Sequence, residues 1–316
     1  MTRTVLAADF GGTHLRAALI ADTGAILRRF DHQTPAEATP ETIIAEVVDL
    51  LGRTAAGATP PPSAACIATA GLIDADAGKV ILAPNIAGFR NLVLTTPIAE
   101  RLGIPAFIEN DASAAALGEH RFGAGRGTRH LLHATLGTGI GGGIVIDGKL
   151  YRGSRGMAGE IGHIIIDPAG PRGNCGSRGC LEAMVSGVAF AERARVLIET
   201  GKSRVLKEIA AYEAPTAADL HRAALLGDVL CEAEIRHGGH LLGLGLGSLV
   251  NVLNPDAITL SGGLLAMGEM LLEPLREAMY SIAYGPAAGT LVRLSELGDD
   301  AGLLGAAAVA FERLGP

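Results

Sequence analysis

The chain has 316 residues, enough for two domains of ordinary size, and its 48% apolar content excludes a disordered chain. A formal charge of -7 with no dense basic stripe excludes nucleic acid as the expected main partner, and four cysteines do not make a disulfide scaffold. The start MTRTVLAADFGG lacks the shape of a signal peptide, and the uncharged stretch 241–254 is too short and glycine-rich to span a bilayer, so a cytoplasmic protein without a membrane partner is expected.

In chain order, residues 4–10 (TVLAADF) read as a buried strand, GGT turns the chain, and HLRAALIAD and GAILRRFDHQ follow as a second and third strand. Residues 40–51 carry helical periodicity, and the proline-rich 59–63 is a loop. ACIATAG (65–71) is a short apolar strand ending in glycine. PAFIEND (105–111) is another, and the helix that continues it is expected to be capped by Asp111. Then the pattern restarts: 129–153 reads strand, glycine turn, strand, turn. Helices are expected at 186–200, 216–226 and 228–253, a strand at 256–265 running into Gly262-Gly263, and a last helix at 299–313. Cys66 and Cys231 lie in apolar surroundings and read as buried thiols.

Two units thus begin with a strand, a glycine turn and a strand. This predicts a duplicated α/β domain with a cleft between the copies, where ligands favour binding. The turns are Asp9-Phe10-Gly11-Gly12-Thr13 and the run from Leu136 through Gly137, Thr138 and Gly139 to Gly141. Either they are ordinary hairpin corners, or their converging N–H groups and threonine hydroxyls hold phosphates; recurrence at matching places favours phosphate. Asp9, at a strand end beside the first turn, suits orientation of a hydrated magnesium ion. Asp111 has two readings, a helix cap or the general base that phosphoryl transfer to a hydroxyl requires, with Asn110 beside it able to hold a neighbouring hydroxyl. Glu160 and Glu182 are either surface carboxylates near a flexible loop or acceptors for sugar hydroxyls.

In their order and spacing these pieces resemble the ROK family of bacterial sugar kinases and sugar-responsive repressors. The pieces are the Asp9-to-Thr13 turn, Ala70-Gly71, Pro84-Asn85, Glu109-Asn110-Asp111, the run Leu136 through Gly143, Glu160-x-x-His163, Cys175-Gly-x-x-Gly-Cys180-x-Glu182, Gly262-Gly263, and Asp300 to Gly305. The resemblance covers nearly the whole chain. It implies an actin-like (ribonuclease H-like) duplicated two-domain ATPase fold, with residues 1–117 plus 299–316 as one α/β domain and 118–298 as the other. Asp111 would be the catalytic base. Asn85, Asn110, Glu160, His163 and Glu182 would hold the sugar, with backbone help near Gly71. The turns at 11–13 and 137–139 would hold ATP phosphates, and Gly262-Gly263 would lie near the adenosine.

The family's members commonly bind a structural zinc through one histidine and three cysteines, which here would be His163 and positions 173, 175 and 180. Residue 173 is glycine, so His163, Cys175 and Cys180 leave one of four positions open, with Asn174 and Asp167 as candidates to fill it. Where glucose-preferring members often carry tryptophan after the asparagine, this chain has Ile86-Ala87-Gly88-Phe89, which keeps an apolar wall. The activity implied is ATP- and magnesium-dependent phosphorylation of a hexose at the 6-hydroxyl, foremost glucose, by a homodimer. An N-acetylated hexosamine or fructose is the alternative acceptor. A non-enzymatic sugar-sensing repressor is disfavoured, because the first strand begins by residue 4 with no helix-turn-helix before it.

Overall fold

The computed structural model describes all residues except 1, 35–38, 84–88, 212 and 316. The first glycine turn joins β1 (Thr4–Phe10) to β2 (His14–Ala21), which continues antiparallel into β3 (Ile26–Gln33). β1 is buried nearly throughout, as its unbroken apolar run dictates, whereas β3 has an exposed face and forms the sheet edge. Helix α1 (Pro40–Ala55) starts at Thr39, which exchanges capping bonds with Thr42, and Pro40 supplies a preset first turn. It buries Ile43, Val47, Leu50, Leu51 and Thr54, one stripe at helical spacing.

β4 (Ala65–Thr69) pairs parallel to β1, and β8 pairs parallel to β4 after a small antiparallel sheet of β5 (Leu72–Asp74), β6 (Lys79–Leu82) and β7 (Arg90–Val93) and helix α2 (Thr95–Leu102). β8 spans Ala106–Asn110 and runs directly into α3 (Asp111–Phe122). The first sheet therefore has the order β3-β2-β1-β4-β8.

The second sheet repeats this order. It is built from β9 (Leu131–Leu136), β10 (Ile140–Ile146), β11 (Lys149–Leu150), β12 (Ala257–Ser261) and β13 (Leu291–Leu294), arranged β11-β10-β9-β12-β13. Each sheet centres on the first strand of its unit, with the next two strands on one side and the later, parallel ones on the other. The fold is the duplicated actin-like ATPase fold.

Between β11 and β12 lie α4 (Leu181–Val185), α5 (Gly187–Glu199), α6 (Arg204–Ala210), α7 (Ala217–Leu225) and α8 (Val229–Leu253); α9 (Glu269–Ile282) follows β12. α8 and α9 pack closely because α8 presents Gly239, Gly243 and Gly247 at four-residue spacing. A Cβ on Gly243 would strike the Leu275 carbonyl oxygen and come within 2.7 Å of the Ala278 Cβ. Helix α10 (Ala301–Leu314) is buried from Leu303 to Phe311 and packs on β1, β4 and α3.

By its contacts the chain divides into two compact units, residues 1–133, 143–159 and 295–316, and residues 134–142 and 160–294. Cys66 and Cys231 are fully buried, as their surroundings predicted. No helix among the described residues is long and apolar enough to cross a membrane.

Candidate active site

The first unit gathers its candidate residues at the C-terminal ends of parallel strands, where open α/β sheets bind ligands. Asp9 ends β1 opposite Arg16 of β2, and the two side chains lie 3.9 Å apart. Burial pushes the Asp9 carboxyl up to about 6; Arg16 offsets part of that rise, the charge of Asp111 adds to it, and Arg29 opposes it. The carboxylate rests on the second residue of α10, where a Cβ on Gly302 would come within 2.6 Å of it. Arg29 reaches Asp300, just before that helix, and Asp31. The turn after Asp9 is closed by the Gly11 N–H on the His14 carbonyl (2.9 Å) and by Thr34, whose Oγ1 donates to the Gly11 carbonyl (2.8 Å). Among the described residues the N–H groups of Gly12 and Thr13 have no acceptor in the chain and face solvent, which leaves them available to an anion.

Asp111 is the first residue of α3. The expectation that it caps this helix is corrected: Asn110 is the cap, its Oδ1 accepting from the Ser113 N–H (3.0 Å). Asn110 keeps β-type backbone angles (ψ 142°), as a cap requires, whereas Asp111 is already helical. Asp111 is thereby released from capping. Its Oδ1 accepts from the Ala112 N–H (2.9 Å), and it has no ion-pair partner among the described residues. Burial raises its carboxyl above the ordinary aspartate value. Asn110 also donates from Nδ2 to the Gly71 carbonyl (3.2 Å). Gly71 has φ +114°, and a Cβ there would strike the Leu82 carbonyl, so only glycine fits. Asn85 lies outside the described residues. Phe89, expected to serve as a pocket wall, is 1% exposed with its ring 4.8 Å from that of Phe10, so it belongs to the core.

Sequence reasoning missed a buried network behind these residues. Glu109, next to Asn110, accepts from Arg152 Nε (2.6 Å) and from the Asn110 N–H (3.2 Å), and Arg152 also reaches Glu312 (2.9 Å). The available signal was an acidic residue in a buried strand, which must find a cation.

In the second unit, the Gly137 N–H closes its turn on the Gly139 carbonyl (3.0 Å), and the N–H groups of Thr138 and Gly139 have no acceptor in the chain among the described residues. The N-terminus of α5 abuts this turn: the Gly187 N–H donates to the Gly137 carbonyl (2.8 Å), and a Cβ on Gly187 would come within 2.9 Å of it. Gly262 (φ +101°) sits against the Leu136 backbone, and Gly263 begins a short 3₁₀ helix. Gly137, Thr138 and Gly263 line a pocket of about 540 Å³, walled by Gly187, Val188, Ala191, Ala217, His221 and Met267. This largely apolar enclosure suits a flat, weakly polar group such as a nucleobase. The sequence reading found its glycines but not its helical wall, because α5 and α7 reach the pocket only through tertiary packing.

Glu182, in the first turn of α4, accepts from the Ile140 N–H at Oε2 (2.9 Å), and a Cβ on Gly139 would strike that carboxylate. The residue expected to bind sugar is therefore also a strut of the second glycine turn. Glu160 and His163 flank a 3₁₀ turn, with Oε2 and Nε2 3.8 Å apart. Ligand atoms of His163, Cys175 and Cys180 all lie within 4.8 Å of one another, and the two sulfurs are 3.7 Å apart. A Cβ on Gly173 would be 3.0 Å from the Cys180 sulfur and 3.4 Å from that of Cys175, so residue 173 faces the cluster. Asp167 is not part of it; its Oδ1 accepts from the Ala169 N–H (2.9 Å). The donor set, two cysteine sulfurs and an imidazole, fits zinc and would leave one of its four positions to another ligand.

The sequence profile of the ROK family matches residues 5–313. The chain is 36% identical over 313 residues to a glucokinase of Thermotoga maritima, covering 98% of each. Among solved structures it is similar to a ROK hexokinase from Thermus thermophilus (TM-score 0.86, 32% identity, 98% of this chain and 99% of that one). It is also similar to a ROK family glucokinase from Streptomyces griseus in complex with glucose and AMPPNP (TM-score 0.80, 35% identity, 99% of this chain and all of the other).

Proposed function

The chain belongs to the ROK family, and from that premise we propose that it is an ATP-dependent glucokinase, transferring the γ-phosphoryl group of ATP to the 6-hydroxyl of glucose. The observation that carries this reading is the Asp111 carboxylate: it is held at the head of α3, relieved of capping by Asn110, raised by burial, and placed in the same unit as Asp9 and the first glycine turn. A raised carboxylate is a stronger base for the hydroxyl proton, and phosphoryl transfer asks little else of the protein beyond positioning and charge.

In this reading Glu160, His163, Glu182, Asn110 and Asn85 take sugar hydroxyls, with backbone at Gly71. Asn110 offers a second hydrogen on Nδ2 and a second lone pair on Oδ1. The free N–H groups of the two glycine turns take the phosphates, and the pocket beside Gly263 takes the adenosine. Magnesium, held through water by Asp9, would neutralise phosphate charge when bound. His163, Cys175 and Cys180 would hold a structural zinc, with the position facing Gly173 left to a non-protein ligand. We take residues 1–117 with 299–316, and 118–298, as the two functional domains, and the active form as a cytoplasmic homodimer.

The test is ADP release with magnesium-ATP against glucose, mannose, fructose, N-acetylglucosamine and N-acetylmannosamine. Glucose is expected to give the highest kcat/KM. A higher value on an acetylated sugar would overturn the substrate while leaving the base and the phosphate turns in place.

A further inference from the structure

A second pocket of about 540 Å³ lies wholly within the first unit, among the last turns of α3 and α10, the β10–β11 turn and the start of β1. Its lining includes Arg3, His120, Arg121, Lys149, Phe311 and Glu312. The guanidinium of Arg121 stands 4.8 Å from the centre of the Phe311 ring, and that of Arg3 stands 6.0 Å from the same ring. Among the described residues neither arginine, nor Lys149, has a carboxylate in ion-pair contact, while Arg16, Arg29, Arg152 and Arg313 of the same unit all do. Arg3 donates from one nitrogen to the Gly315 carbonyl (2.8 Å), and its other donors remain. The one acid of the lining, Glu312, is already committed: it accepts from the Leu150 N–H and from Arg152, both at 2.9 Å. His120 is committed too, with Nε2 2.8 Å from the Thr128 carbonyl. Partial burial foremost, and then the charge of Arg3, bias the Arg121 guanidinium against its protonated form, while the charges of Asp22 and Glu312 oppose that bias. Gathering like charges around one ring costs free energy that Asp22 and Glu312 offset only in part, the net bias on Arg121 still running against its charge, and an anion in the pocket would recover more of it.

We propose that this pocket binds a small phosphate monoester, its dianion taken by Arg3, Arg121 and Lys149, with the two guanidinium groups held in place over the buried Phe311 ring. Two guanidinium forks and an ammonium match a dianion better than a single carboxylate, and the volume exceeds what a bare inorganic ion fills. The pocket is separate from the residues assigned to chemistry but joined to them by two helices. α3 begins at Asp111, and α10 begins beside Asp9 at Gly302. Midway the helices interlock, a Cβ on Gly118 falling 2.9 Å from the Gly305 Cα. A ligand that draws their far ends together therefore acts on both acids. This link to turnover rests on the reading of Asp111 as the base; the binding does not.

Calorimetric titration of the full chain tests it, with glucose 6-phosphate as one probe and inorganic phosphate as the other, in the presence of saturating glucose and AMPPNP. Glucose 6-phosphate is expected to bind near one per chain, with inorganic phosphate weaker at the same site. Arg121→Gln and Lys149→Gln should each weaken both by about tenfold, the worth of a charge-assisted hydrogen bond. Lys149 is exposed, so its replacement keeps the test valid if the Arg121 variant folds poorly. Absence of binding by either probe, or binding that both variants leave unchanged, would overturn the proposal. Neither result depends on turnover, so a failure here is distinct from a failure of the glucokinase reading.

Discussion

Asp111 and Asp9 are two partly buried carboxylates to which the proposed reaction gives different work. Asp111→Asn keeps the shape and removes the base, so kcat is expected to fall by about 10²–10⁴-fold with the KM for sugar nearly unchanged, as steady-state kinetics would show. Retained turnover would remove Asp111 from the base role. Asp9 has a folded-state carboxyl raised from 3.8 to about 6, so between those values the folded chain holds a proton that the unfolded chain has lost. Stability from this group is present below pH 3.8 and is lost as pH rises through 6, by up to about 3 kcal/mol. Asp9→Asn is therefore expected to raise resistance to urea at pH 7.5 while abolishing turnover, a trade of stability for function at one side chain. For Glu182 the structure sharpens the expectation. Glu182→Gln retains an oxygen for the Ile140 N–H and should raise mainly the sugar KM, whereas Glu182→Ala also frees the phosphate turn and should raise the KM for ATP.

At the level of elements, backbone approach and buried polarity decide what the strands and helices tolerate. Gly243 lets α9 seat on α8, and Gly243→Val is expected to cost about 1–3 kcal/mol or more by overpacking, read as a lowered denaturation midpoint. His133 in β9 is fully buried, and burial drives its pKa down from 6.5 to about 4. In that window the unfolded chain binds the extra proton, so stability from keeping His133 neutral is lost as pH falls from 6.5 to 4, by up to about 3 kcal/mol. The two titrations oppose one another between pH 4 and 6. Asp9→Asn is therefore expected to show a steeper acid loss of urea midpoint in that range than wild type. The cysteine loop was legible as an incomplete ligand set; only the folded chain places residue 173 facing the sulfurs. Zinc measured by elemental analysis is expected near one per chain, and Gly173→Cys should retain it against a chelator that strips wild type.

For the whole molecule, the duplication was legible because each unit restarts with an apolar strand, a glycine turn and a second strand, a pattern that survives in a linear reading. The strand order then follows twice, β3-β2-β1-β4-β8 and β11-β10-β9-β12-β13. The small sheet β5–β7, the strand β13 and helices α2, α4, α6 and α9 were not foreseen. The strands, α2, α4 and α6 are short, and α9 carries Pro274 in its interior, which reads in a sequence as a helix breaker.

The class of chemistry was legible in the sequence through the family resemblance, which rests on the order and spacing of glycine turns and carboxylates and needs no packing to read; each motif alone left an ordinary structural role open. By itself the sequence also determined which residues are buried in β1, β4 and α10, because unbroken apolar runs have nowhere else to go. Only the tertiary structure decided that Asn110 rather than Asp111 caps α3, that Glu182 braces the Gly137–Gly139 turn from 42 residues beyond Ile140, and that Phe89 is core. It alone brought Arg3, Arg121 and Lys149 around Phe311. The physical reason is common to all four: each turns on which partner a polar or aromatic group meets once the chain has closed, and that partner lies far away in sequence or differs by one residue of backbone angle.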